Sequence, residues 1–192
     1  GVQFYTKLRV IQPNRTAAIP MRRFFVLAAI LALTLLVFER LAFTDLILAR
    51  GDTYQYFLPY WSARDAALRA GTLPLWSPEL FMGVPLLANP QVGALYPPNW
   101  LMLPFDTPNA LRLSVLMHVV WAYLGAYLVA RRVVQLDRLP ALISGAVFAL
   151  GGYMSAHVEQ INQLQGLAWM GWAFLSFEYT WRRPLKYLPA FG

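Results

Sequence analysis

The stretch Thr107-Pro108-Asn109-Ala110-Leu111-Arg112-Leu113-Ser114-Val115-Leu116-Met117-His118-Val119-Val120-Trp121-Ala122-Tyr123-Leu124-Gly125-Ala126-Tyr127-Leu128-Val129-Ala130-Arg131-Arg132 decides the fold class. From Asn109 to Ala130 its one charged residue is Arg112. As an α-helix this run is about 33 Å long, enough for a hydrocarbon core of about 30 Å. Thr107 is expected as the N-cap, with Pro108 at the first helical position. Arg131-Arg132 closes the run with positive charge. Ala122, Ala126 and Ala130 recur every four residues, a spacing that lets helix backbones approach closely in lipid.

Three further runs share this character. Phe24–Phe38 holds Thr34 as its only polar residue. It is about 22 Å long as a helix, so a crossing must continue through Glu39-Arg40 to Phe43, with the two charges snorkelling at the interface. A third run spans 140–156, with Gly145/Ala149 and Gly152/Ala156 as small-residue faces, and a fourth spans 164–181. The expected fold is all-α: a multi-pass transmembrane helix bundle of about four spans, at 24–43, 109–130, 140–156 and 164–181. They form one transmembrane domain over residues 24–183. The aromatic residues of the fourth span, among them Trp169, Trp172, Phe177 and Trp181, read as helix packing or an interface belt.

Composition excludes the main rivals. The chain is 58% hydrophobic and 13% charged, against about 25% charged in an ordinary soluble domain. That is also the opposite of a disordered composition. There is no cysteine, and His118 and His157 are the only histidines. Disulfides, thiol chemistry and a multi-histidine zinc site are therefore not expected. The net charge of +7 does not point to nucleic acid, because the basic residues cluster beside the apolar runs.

Those clusters set the topology. Of 16 Lys and Arg, five lie in residues 1–23, three between the second and third runs, and three after the fourth. The positive-inside rule then makes residues 1–23 a basic cytoplasmic tail and 184–192 a second cytoplasmic tail. Residues 50–108 become an external loop. Met21-Arg22-Arg23 before fifteen apolar residues also has the form of a signal peptide, with Met21 as a possible start, but no A-x-A site follows closely.

The external loop carries nine prolines and ten aromatic residues. A structureless linker would be polar, so this segment is expected to lie on the membrane surface or fold into the bundle. Residues 59–70 read as a short interfacial helix that Gly71 can end. In it, Asp65 and Arg69 pair on the wet face while Trp61 and Leu68 face lipid. A second short helix is expected around Asn99–Leu103. Asp52 has two readings. With Gln55 three residues on, it forms a capping-box variant. At the bilayer surface, it could serve as a general base or help hold a divalent cation. His118, inside the second span, is either a functional group or a neutral histidine bonded across helices. Arg112 could meet a phosphate or snorkel. His157 and Glu159, between the third and fourth spans, could bind a polar headgroup or sugar, or belong to a solvated turn.

Several runs together carry a resemblance. They are Gly51-Asp52-Thr53-Tyr54-Gln55-Tyr56-Phe57-Leu58-Pro59-Tyr60, Gly71-Thr72-Leu73-Pro74-Leu75-Trp76-Ser77-Pro78, Gly83-Val84-Pro85-Leu86-Leu87-Ala88-Asn89-Pro90-Gln91 and Tyr96-Pro97-Pro98-Asn99. With Gly151-Gly152-Tyr153 and Ala168-Trp169, the sequence over roughly residues 22–183 resembles the YfhO-like family of bacterial membrane proteins. The resemblance implies a GT-C-type architecture in the bacterial cytoplasmic membrane, related to transferases that take sugar from a polyprenyl-phosphate donor. Asp52 occupies the place of that superfamily's catalytic base. Gln55, Asn89 and Gln91 match family motif positions and are expected to line the same cavity, with Arg112 or His118 as donor-phosphate contacts. Family members are longer and have more spans. On that expectation the sequence is either the N-terminal part of such a protein or a shortened relative. The shortened relative gives the alternative: a non-catalytic transmembrane subunit packed against partner proteins in a larger, even energy-transducing, membrane complex.

Overall fold

The computed structural model describes residues 19–44 and 51–182. Residues 1–18, Arg50 and the tail from residue 183 lie outside the described residues, as do the side chains of residues 19–23 and 182. Nine α-helices occur among the described residues. They are α1 (Ile19–Val37), α2 (Glu39–Phe43), α3 (Leu58–Arg69), α4 (Pro97–Trp100), α5 (Thr107–Arg132), α6 (Arg138–Leu150), α7 (Gly152–Ala156), α8 (Ile161–Ala168) and α9 (Met170–Arg182). Among the described residues there is no strand. A single antiparallel bridge joins Ser77 and Val84.

The axis of the fold is α5, against which α1, α2, α3, α6, α8 and α9 all pack. Its small residues explain how one helix serves so many neighbours. A Cβ added at Gly171 of α9 would lie 2.7 Å from the carbonyl carbon of Gly125, so the two backbones nearly touch where α5 crosses α9. On the α6 side, Ala141, Gly145 and Ala149 form a buried stripe, and Gly145 lies under the Tyr123 ring. Trp172 stacks on Trp121 with ring centroids 4.1 Å apart and donates to the Trp121 carbonyl at 3.1 Å.

The first apolar run is nearly continuous. The N–H groups of Phe38 and Ala42 still bond four residues back, at 3.0 and 2.8 Å, so α1 passes into α2 with only a local irregularity. Thr34 is buried, and its hydroxyl returns to the Ile30 carbonyl at 2.9 Å, which satisfies a polar group in apolar surroundings. The last two runs are interrupted. Gly151 is extended between α6 and α7, and Trp169 separates α8 from α9.

The outward faces of these helices are apolar. Phe24, Phe25 and Leu27 of α1, Leu139 and Val147 of α6, and Phe174, Phe177 and Trp181 of α9 are all exposed. A water-soluble helix turns its apolar stripe inward, whereas here apolar residues cover both sides. Two helices, Thr107–Arg132 and Arg138–Glu159 (the latter followed through the Gly151 break), are long and apolar enough to cross a membrane, and Phe24–Val37 is a shorter apolar helix.

Several local expectations change. Asp106, extended at ψ 155°, takes the N-cap position of α5, and Thr107 falls in the first turn. Gly152 and Ala156 are exposed and do not form a packing face. The helix expected at 59–70 is α3, and it ends before Gly71 at φ +72°. However, Trp61 does not face outward and Asp65 does not lie on a wet face. Trp61, Arg64 and Asp65 are buried against the bundle and the loop. Asp65 pairs with Arg64 at 2.7 Å rather than with Arg69. Arg69 instead donates to the carbonyls of Leu103 and Phe105 at 2.9 and 2.5 Å. The reason is steric and periodic. Phe57, Tyr60, Trp61 and Arg64 share one helical face, and burying three aromatic rings carries the charged pair inward. The remainder of the loop turns irregularly. At its tip Phe81 and Met82 hold left-handed backbone, φ 47° and 62°, and both are exposed.

Candidate functional site

The candidate site begins where the chain leaves the first apolar run. Gly51 has φ +54°, a conformation that favours glycine. A side chain there would also collide with the Glu159 carboxylate. Asp52 follows at the head of a wide π-helical turn, Thr53–Phe57, which feeds into α3. Its backbone is helical and its side chain makes no capping bond, so the capping-box reading with Gln55 is not what forms. Instead Gln160 donates from Nε2 to Asp52 Oδ2. Thr53 is fully buried, and its hydroxyl donates to the Glu159 carbonyl at 3.3 Å.

Two short segments, 51–53 and 157–160, thus form one rim at the end of the bundle. His157 lies at the start of the second segment, where its Nδ1 donates to the Tyr153 carbonyl at 2.7 Å, since a carbonyl can only accept. Asp52 is exposed and held by one amide. Such a group can accept a proton from a hydroxyl brought against it. Among the described residues no group of three or more His, Cys, Asp or Glu is arranged to hold a metal ion.

The other expected residues are dispersed. Gln55 is exposed on the π-helical turn. Asn89 caps the 3-10 turn Pro90–Val92 by accepting from the Gln91 N–H at 3.1 Å, and it donates to the Tyr56 hydroxyl at 2.5 Å. Gln91 itself is exposed. Arg112 donates to the Leu41 carbonyl at 3.0 Å and to Asn109 at 3.1 Å. It therefore tethers the C-terminal end of α2 to α5.

His118 sits in a buried chain of hydrogen bonds that joins the loop to the bundle. Its Nδ1 donates to the Ser114 carbonyl at 2.7 Å, which leaves Nε2 of the neutral ring to accept from the Tyr96 hydroxyl at 2.8 Å. Tyr96 in turn accepts from Trp169 Nε1 at 2.6 Å. Gln165 donates to Asn99 at 2.8 Å and to the Ser114 hydroxyl at 3.2 Å, and Asn99 donates to the Gly93 carbonyl at 3.1 Å. Burial raises the Tyr96 phenol above its ordinary value, with the bond from Trp169 opposing. Sequence reasoning passed over Gln160, Thr53, Tyr96, Asn99, Ser114 and Gln165 as site residues. Their partners are far apart in the chain, so no local spacing marks them.

Comparison with protein families, curated proteins and solved structures finds no match.

Proposed function

We propose that this is a four-span, GT-C-like membrane protein of the YfhO-like kind. In this reading it is related to glycosyl transfer from a polyprenyl-phosphate-linked sugar at the external membrane face. The observation that carries the reading is Asp52. Its carboxylate is exposed, it makes no helix cap, and Gln160 donates to it across the rim. A general base must reach an acceptor hydroxyl while its own orientation is fixed. If the resemblance of the loop motifs holds, Asp52 would stand where the superfamily carries its base. Gln55, His157 and Glu159 would contact the sugar or headgroup. Arg112 is engaged in tying α2 to α5 and His118 in tying the loop to α5, which favours Asp52 and its rim over them as the working groups.

The test is transfer activity of the full native protein with Asp52→Asn. The expected loss is at least about a hundredfold, the usual contribution of a positioned base, with helical content unchanged by circular dichroism. Undiminished transfer by that variant removes the proposal.

The exposed apolar faces of α1 and α9 favour a second reading, a non-catalytic transmembrane subunit seated against partners in a larger complex. Native electrophoresis of the untagged protein in mild detergent separates the two. Stoichiometric co-migration with partners supports the subunit, and migration as a lone species excludes it.

A further inference from the structure

A groove of about 480 Å³ runs between the C-terminal half of α5 and the face of α9 from Trp172 to Tyr179. It lies at the opposite end of α5 from the N-terminal turn that carries Arg112, and nothing in the transfer reading uses it. Its floor is apolar, formed by Leu128, Val133, Trp172 and Leu175. Its rim carries two opposite charges, Arg132 from α5 and Glu178 from α9. The volume falls within the range of about 300–1,000 Å³ common for small-molecule sites.

Three observations say what chemistry would fill it. The flanking face of α9, with Phe174, Phe177 and Trp181 exposed, is a surface that lipid tails would cover. This end of the bundle also gathers Arg131, Arg132 and Arg138 in the sequence, the pattern of a helix end at a phospholipid headgroup layer. The third observation is the mixed charge of the rim. A guanidinium matches a phosphate through paired N–H donors. A carboxylate a short way along repels a headgroup of net negative charge and attracts an ammonium. Glu178 is engaged in an interaction of its own, so an ammonium would join an occupied carboxylate rather than a vacant one. The C-terminal end of α5 adds partial negative charge on the same side.

We propose that the groove binds one zwitterionic phospholipid with a primary-ammonium headgroup. Its phosphate lies on Arg132, its ammonium beside Glu178, and one acyl chain against Trp172 and Leu175. This site is independent of Asp52 and of any transfer activity.

The experiment is native mass spectrometry of the detergent-purified full chain. Phosphatidylethanolamine, phosphatidylcholine and phosphatidylglycerol of matched chain length are added back after delipidation. One phosphatidylethanolamine should be retained in preference to the other two. Arg132→Gln should weaken that retention about tenfold, the scale of one charge-assisted contact. Glu178→Gln should erase the preference over phosphatidylglycerol without abolishing binding. Leu175→Trp, which fills the floor and leaves both charges in place, should expel the lipid. Thermal unfolding of each variant serves as a control for folding. Equal retention by the parent, Arg132→Gln and Leu175→Trp proteins overturns the proposal. So does an absence of headgroup preference in the parent, or a protein partner found cross-linked in the groove in place of lipid.

Discussion

Two polar clusters fasten the segment between α2 and α5, and they are built on opposite terms. In the Tyr96–His118 chain, Trp169, Tyr96, His118 and Ser114 each meet a partner, and Gln165 bridges Ser114 to Asn99. In the α3 cluster, Arg64 and Asp65 are fully buried and bonded to each other. Arg64 also donates to the Val92 carbonyl at 2.7 Å, and its guanidinium lies 3.9 Å from the Trp61 ring centre. Yet Arg64 Nη2, Asp65 Oδ2 and Trp61 Nε1 have no hydrogen-bond partner. Burial pulls the Arg64 guanidinium below its ordinary value, with the Asp65 bond opposing. A complete network fixes one geometry, whereas an incomplete ion pair leaves desolvation only partly offset.

The contrast can be broken most forcefully at Asp65. Asp65→Ala removes one partner and strands a buried guanidinium, an expected loss of about 3–5 kcal/mol in unfolding free energy. The paired change Arg64→Met with Asp65→Leu should be neutral or stabilising by about 1–4 kcal/mol. Denaturant titration in detergent measures both. If the double variant is as damaged as the single one, the pair is not the incomplete site described.

His118→Leu leaves the half-buried Tyr96 hydroxyl without its acceptor. The expected cost is about 1–3 kcal/mol, measured by the same titration. A double-mutant cycle on Asn99→Ala and Gln165→Ala should then return a coupling of about 0.5–3 kcal/mol. No coupling would mean that loop and bundle are joined at Tyr96 alone.

The smallest effect belongs to an exposed counterpart, Asp106, which accepts from Asn109 at 2.6 Å. That bond, ahead of a small opposing burial, lowers the Asp106 carboxyl. A depressed carboxylate contributes stability above its unfolded value and loses it as pH falls through its folded value. The contribution should therefore fade only below the ordinary carboxylate range, and Asn109→Ala should flatten that acid limb. A pH series of melting temperatures checks the sign.

The all-helical architecture was legible because long apolar runs favour helices, and two of the four expected runs form helices long and apolar enough to cross a membrane. The Gly145/Ala149 face was legible from its spacing, whereas the same spacing at Gly152/Ala156 gave exposed residues. The α3 cluster was misread because Asp65 and Arg69, four residues apart, satisfy a surface pairing rule. Yet Phe57, Tyr60, Trp61 and Arg64 satisfy a helical period just as well, and aromatic burial decided between them. The breaks at Gly151 and Trp169 were hidden inside hydrophobic runs that look continuous. At the candidate site, Asp52 stood out by its position, but Gln160 is 108 residues away. Nothing in the local sequence marks that meeting.

The left-handed tip of the loop has a chemical consequence. Met82 is fully exposed, whereas Met154 and Met102 are 1% and 6% exposed. Oxidation of a thioether to the sulfoxide follows access. Met82 is therefore a built-in footprint: brief peroxide treatment should mark it well before Met154 or Met102. Any lipid surface or partner that covers the tip would register as its protection, with the two buried sulfurs as the internal reference.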